Sequence, residues 1–213
     1  MKRTLLLFII LVFYTSSAFS SARCTSPDPQ TKAGIVLIDG GESVGSGVVV
    51  AHNQILTAAH VIKGMDTIYV QVNGALVPAH VLSEDSTKDL ALLRADTGET
   101  VPLVLSHDKL ERNDDVWAMG YPFGESLVSA SGRYRGTWDN AIYTSASVNF
   151  GQSGGGLISC ERGKPVLAGM VRAFGAVKKN GKLVRRDDIS VAVRIETIKQ
   201  FLVTSRQVAS VFK

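Results

Sequence analysis

The residues best suited to chemistry lie around one serine. In Gly151-Gln152-Ser153-Gly154-Gly155-Gly156 the Ser153 hydroxyl is set among glycines, which tolerate unusual backbone angles and let a substrate approach closely. A tight turn of this kind exposes a serine Oγ and leaves nearby backbone N–H groups free to bind an oxyanion. The hydroxyl is a weak nucleophile until a base takes its proton. Four histidines compete for that role: His52, His60, His80 and His107. His60 is favoured, because in Leu56-Thr57-Ala58-Ala59-His60-Val61 an apolar strand ends in small residues that leave room for an imidazole. His52 adjoins Asn53 in an expected hairpin turn, and His80 and His107 fall in strand and linker contexts.

A third group, a carboxylate, must fix the imidazole tautomer and stabilise the imidazolium. Asp89 precedes Leu90-Ala91-Leu92-Leu93, an apolar strand that would carry it inward, and Asp85 is its more polar competitor. A lone GxSxG also fits the α/β-hydrolase elbow, but there the histidine follows the serine, whereas all four histidines here precede Ser153. The order His60, Asp89, Ser153 is that of the chymotrypsin class. Subtilisin-type enzymes run Asp, His, Ser.

These side chains need a framework that brings them together. The chain has 213 residues, 45% hydrophobic and 20% charged. That composition excludes disorder and low-complexity arrays and suits one large domain or a double-barrel unit. Twenty glycines exceed the usual ~7% and point to many tight turns. Short β-branched runs are expected as strands over Gly34–Ile38, Val44–Ala51, Gln54–Ala58, Thr67–Val72, Leu76–Ser83 and Leu90–Arg94. A second set covers Val116–Gly120, Leu127–Arg135, Ala141–Thr144, Gly155–Ser159, Pro165–Phe174 and Ile189–Val193. Asn73-Gly74 and Asn180-Gly181 are two-residue hairpin signals. Twelve short strands at this spacing predict barrels or a sandwich. Only the tail reads as helical, with Ile195, Ile198, Phe201, Leu202 and Val208 at helical spacing.

The amino terminus reads as an export signal. Lys2 and Arg3 precede an apolar run from Leu5 to Tyr14 and then small residues, with cleavage expected after Ser20 or Ala22. The run is shorter than the ~20 residues that span a bilayer, so no stable membrane insertion is expected after cleavage. Without Lys2 and Arg3, 21 basic residues face 19 acidic ones and the net charge falls from +4 to +2, which demotes a nucleic-acid partner. In an oxidising compartment Cys24 and Cys160 can pair and staple the amino-terminal arm to the body; two free thiols are the alternative. Two cysteines cannot make a four-cysteine zinc site, and no ligand spacing suggests a metal.

Several segments together resemble trypsin-like serine peptidases of the HtrA/Deg type. They are Gly45-Ser46-Gly47, Leu56-Thr57-Ala58-Ala59-His60-Val61, Asp89-Leu90-Ala91-Leu92-Leu93, Gly120-Tyr121-Pro122-Phe123-Gly124 and Asn149-Phe150-Gly151-Gln152-Ser153-Gly154-Gly155-Gly156-Leu157. The resemblance runs from about Gly34 to Ile198. Phe150, Gln152 and Gly156 depart from the Pro, Asn and Pro common in the group, and no PDZ-sized segment follows, so PDZ-dependent regulation is not implied.

The resemblance implies an all-β fold of two six-stranded antiparallel barrels with a C-terminal helix. Residues 1–22 would be the signal peptide, 23–95 the first barrel, 96–115 a linker, 116–194 the second barrel and 195–213 the helix. It also implies a secreted or periplasmic endopeptidase acting on unfolded or exposed segments of polypeptides, without cofactor. Ser153 would attack, His60 would move the proton and Asp89 would orient His60. The N–H groups of Gly151 and Ser153 would form the oxyanion hole. Ser147, six residues before the nucleophile, would floor the specificity pocket, with Met170 and Arg172 in the facing segment. A pocket without a buried carboxylate predicts small or aliphatic residues before the scissile bond rather than Lys or Arg; an inward Arg172 would instead favour acidic residues. Two other function classes compete: a catalytically inactive binding module on the same fold, and a polyanion binder using Lys178, Lys179, Lys182, Arg185 and Arg186.

Overall fold

Turn residues at short intervals fold β-branched segments back on their sequence neighbours, and pairings between more distant segments close the sheets, all of these strand pairs being antiparallel. A computed structural model describes residues 24–211, with side chains to residue 205; the expected signal peptide lies outside the described residues. Six strands form a first closed barrel: β1 (Ile35–Asp39), β2 (Val44–Ala51), β3 (Gln54–Thr57), β4 (Ile68–Val72), β5 (Ala75–Asp85) and β6 (Leu90–Arg94). A second is built from β7 (Asp115–Gly120), β8 (Val128–Trp138), β9 (Ala141–Thr144), β10 (Gly156–Glu161), β11 (Lys164–Lys179) and β12 (Lys182–Arg194). The expected two-barrel architecture is what the chain adopts.

Both Asn-Gly signals close hairpins. Asn73 and Gly74 have φ of 49° and 83°, and Asn180 and Gly181 have 50° and 79°. Positive φ at both central residues is the mirror-image turn whose twist suits paired strands. The second hairpin differs from expectation in length: β11 and β12 pair beyond the apolar segments, from Gly175↔Arg186 to Lys179↔Lys182. The result is a two-stranded ribbon with largely exposed side chains. Main-chain pairing across the turn holds it without an apolar face, which is why alternation failed to mark it.

The tail is not the only helix. Short helices α1 (Pro29–Ala33) and α2 (Ala59–Ile62) precede the terminal α3 (Ile195–Val211). α1 is capped by Asp28, whose side chain accepts from Thr31 N at 2.7 Å. Helices of four or five residues have no room for a hydrophobic period. α3 buries Ile198, Phe201 and Leu202 in a core cluster that runs through the first barrel and reaches Ile158, Leu167 and Met170 of the second. It touches β5 and β6 as well as β11 and β12, so it clamps the two barrels rather than covering one. Between the barrels the chain hydrogen-bonds to both, through Leu103 N to Val49 O at 2.9 Å and Ser106 N to Leu167 O at 2.9 Å.

Cys24 and Cys160 form a disulfide with their Cα atoms 5.6 Å apart. It ties the arm to β10, the strand that leads out of the Ser153 loop, and closes a loop 136 residues long. Loop-closure entropy predicts that removing it, by Cys24→Ser with Cys160→Ser, lowers unfolding free energy by about 3–5 kcal/mol. Denaturant titration of oxidised and disulfide-free protein measures this directly, and coincident midpoints would refute it.

Candidate active site

β3 ends at Thr57, and the buried Ala58 and Ala59 let the chain turn at once into α2. His60 therefore sits on the first turn of a short helix just past the expected strand Gln54–Ala58. Its ring faces Asp89, in the turn before β6. His60 Nδ1 lies 2.9 Å from Asp89 Oδ2 and 3.0 Å from Oδ1, and the His60 backbone N–H donates to Oδ1 at 3.0 Å. Asp89 holds a positive φ of 58°, a conformation aspartate tolerates better than bulkier residues. Its side chain is 9% exposed against 48% for His60. Burial pushes the Asp89 carboxyl up, but the hydrogen bonds from His60 and the nearby charges of His60 and Arg172 outweigh it and hold the group below the ordinary carboxylate range. Asp85 instead accepts from Lys88 N and Lys88 Nζ within its own turn. His52, His80 and His107 are exposed.

The serine loop needs its glycines. Gly151 and Gly154 have φ of 89° and 85°, and a Cβ on Gly154 would lie 2.1 Å from Ser46 O. Within the loop Gln152 N–H donates to Asn149 O and Gly154 N–H to Val171 O. The N–H groups of Gly151 and Ser153 have no protein acceptor among the described residues. Two unpaired donors flanking a serine are what an oxyanion requires. Ser153 Oγ donates to Arg172 O at 3.0 Å, so a rotation about Cα–Cβ must bring it to the imidazole.

Ser46 fastens this loop to the first barrel. Its buried hydroxyl donates to Gly151 O at 2.7 Å and accepts from Tyr121 N at 2.9 Å, while its backbone N–H donates to Ser153 O at 2.8 Å. The Gly45-Ser46-Gly47 motif was visible in the sequence, but nothing in its spacing indicated a partner 105 residues away. Ser46→Ala leaves a carbonyl and an amide unpaired in the interior, at a cost of about 1–3 kcal/mol each for groups that stay dry. A lower melting temperature with reduced turnover is expected; unchanged values of both would show that the hydroxyl is dispensable.

Two clefts meet at His60, Phe150 and Ser153. One, about 250 Å³, is lined by Val148, Phe150, Val171, Ala173 and Phe174. The other, about 490 Å³, runs past Val44, Val61 and Phe123. A larger concavity of about 610 Å³, among the arm, the linker and the β10–β11 turn, holds none of the three residues. Two expected specificity residues are placed differently. Ser147 is exposed and does not line the cleft at Ser153, and Met170 is fully buried in the core. The wall comes instead from Phe150 and Phe174, whose rings pack edge to face at 5.2 Å. Arg172 does line the cleft, but its Nε donates to Asp89 Oδ2 at 3.1 Å.

The cationic segment is also divided differently. Arg185 is held by the fold: its guanidinium lies 4.7 Å over the Phe174 ring and donates to Val148 O at 2.8 Å and Asn149 Oδ1 at 2.5 Å. It also pairs with Asp187, while Arg186 pairs with Asp188. Lys178, Lys179 and Lys182 remain exposed near the turn. With two of its five cations engaged by carboxylates, the segment offers a polyanion less than its sequence suggested. No group of three or more His, Cys, Asp or Glu among the described residues is arranged to hold a metal ion.

The profile of the Trypsin-like peptidase domain matches residues 45–169, from the Ser46 strand through the serine loop into β11. The chain belongs to this family. A probable periplasmic serine protease of the do/HhoA-like type from Haemophilus influenzae is 36% identical over 131 residues, covering 54% of this chain and 28% of that one. The periplasmic pH-dependent serine endoprotease DegQ of Escherichia coli is 35% identical over 133 residues, covering 55% and 29%. This trypsin-like chain thus spans less than a third of the length of those relatives. A protease from M. tuberculosis, solved in its active form, superposes with a TM-score of 0.70 at 22% identity, over 91% of this chain and 93% of that one. That likeness extends the shared two-barrel fold to nearly the whole chain.

Proposed function

We propose that the protein is a serine endopeptidase that cleaves polypeptides through an acyl-enzyme. The observation that carries this reading is His60, paired with the sheltered Asp89, lining one cleft with Ser153, whose loop leaves the N–H groups of Gly151 and Ser153 free. Ser153 Oγ attacks the peptide carbonyl carbon as His60 Nε2 takes its proton, and the oxyanion lies against the N–H groups of Gly151 and Ser153. Collapse breaks the C–N bond, and His60 returns the proton to the leaving amine. Water then attacks the acyl carbon as His60 takes its proton; the ester C–Oγ bond breaks, and His60 returns the proton to Ser153 Oγ as the acid product leaves. Each oxyanion donor contributes about 3 kcal/mol to the transition state. An inactive binding module would have no need of this pairing.

Export to the periplasm or beyond is part of the proposal. It rests on the signal-like residues 1–22, the Cys24–Cys160 disulfide and the periplasmic relatives. No helix among the described residues is long and apolar enough to cross a membrane.

Denatured casein incubated with the mature protein, with released peptides read by mass spectrometry, tests activity and preference together. Val148, Phe150, Val171, Ala173 and Phe174 make an apolar wall, and the Arg172 charge is already paired. Cleavage is therefore expected after small or aliphatic residues, loosely, because each methylene contributes only ~1–3 kcal/mol of discrimination. A profile dominated by Lys or Arg, or by Glu, would overturn this preference. Absence of any cleavage, together with no labelling by a fluorophosphonate, would overturn the peptidase reading.

A further inference from the structure

We propose that Arg172 is a positioning residue of the site, holding the Asp89 carboxylate in place and limiting the charge it presents to His60. The inference rests on the serine-peptidase reading above. Arg172 lies on β11 of the second barrel and Asp89 in the first, 83 residues apart, and its Nε reaches Asp89 Oδ2 at 3.1 Å. That oxygen is the one 2.9 Å from His60 Nδ1. The Arg172 carbonyl meanwhile accepts from Ser153 Oγ. One residue thus touches both ends of the triad, the nucleophile through its backbone and the carboxylate through its side chain.

The surrounding charges leave this role to Arg172. On the Asp89 loop, Lys88 is paired with Asp85 at 2.7 Å. Lys63, the residue after α2, lines the larger of the two clefts that share His60 and makes no ion pair with Asp89. Among the described residues, Asp89 forms ion pairs with His60 and Arg172 alone. Arg172 is half-exposed, with 47% of its side chain accessible, while Asp89 is sheltered; solvent weakens the pair without removing it.

A carboxylate whose only cationic partner is the imidazolium gives it full stabilisation. A guanidinium on the same oxygen withdraws part of that stabilisation and repels the imidazolium directly. A proton on the imidazole is therefore less favoured than it would be beside an unshared carboxylate, in exchange for some driving force in the transfer from serine. The directed Nε–H also fixes the carboxylate rotamer that serves the His60 ring and backbone together.

The test compares full-length mature protein with Arg172→Gln, Arg172→Lys and, as a control, Arg133→Gln, which removes a surface pair with Asp115. Two readouts are taken across pH: kcat/KM on a peptide substrate, and the imidazole NMR signals of His60, assigned by their loss in His60→Ala. In Arg172→Gln the acid limb of kcat/KM and the NMR midpoint are both expected about 0.5–1 pH unit higher than in the parent. Arg172→Lys, which keeps the charge, is expected to stay close to the parent in both readouts, and Arg133→Gln to leave both in place. Superimposable NMR midpoints in the parent and Arg172→Gln would overturn the inference, as would an equal shift in Arg133→Gln. Should the parent neither hydrolyse peptide nor react with a fluorophosphonate, the peptidase reading fails, and the NMR midpoints still decide whether Arg172 governs the Asp89–His60 pair.

Discussion

Ser153→Ala is expected to lower hydrolysis of casein by a factor on the order of 10⁶ and to abolish fluorophosphonate labelling, with the protein still folded. The Ser153 hydroxyl makes one hydrogen bond, to Arg172 O, so its loss changes stability by about 1 kcal/mol. His60→Ala is expected to fall as far, because an unassisted hydroxyl is no better than none. The two effects should not add: the double variant should match either single one, the residual rate coming from the oxyanion donors and substrate binding. Peptide release and melting temperature, measured on all three variants, check the whole pattern. Full activity in a folded Ser153→Ala would end the serine mechanism.

Asp89→Asn is expected to cost about 10⁴ in kcat while leaving the main chain in place. The amide can present its NH₂ group to His60 Nδ1, which stabilises the tautomer that cannot take the serine proton, and it also leaves Arg172 without a carboxylate. The same substitution has a thermodynamic signature. The Asp89 carboxyl is held below its ordinary value of 3.8 in the folded protein. A depressed folded value means that the unfolded chain binds the proton first as pH falls. Its stabilising contribution is therefore complete above 3.8 and is lost as pH drops through the lower folded value. Melting temperatures from neutral to acid pH should fall more steeply for the parent than for Asp89→Asn. Parallel curves would contradict this, as would wild-type turnover in the variant.

What the sequence determined by itself was local or ordered along the chain. Val44–Ala51, Leu90–Arg94 and Ala141–Thr144 are strands over the expected residues, because turn residues bracket each apolar run. The order of His60, Asp89 and Ser153 separated this chain from two other hydrolase arrangements before any geometry was known, since chain order survives folding. The Cys24–Cys160 pair followed from counting two thiols in a chain with an export-like start.

What only the tertiary structure decided came from contacts between distant segments. α2, which carries His60, is four residues long and has no period to read. The ribbon beyond Phe174 is held by main-chain pairing, which leaves no apolar signature. Ser46 reaches Gly151 across 105 positions, and Arg172 reaches Asp89 across 83. Met170 and Arg172 stand two apart on β11, yet one is sealed in the core and the other lines the cleft and reaches the carboxylate. Strand periodicity puts both on one face, but the bulge between Val171 and Ala173 breaks that alternation. The bulge belongs to the pairing of β11 with β12, and a sequence read one residue at a time does not contain the register of that pairing.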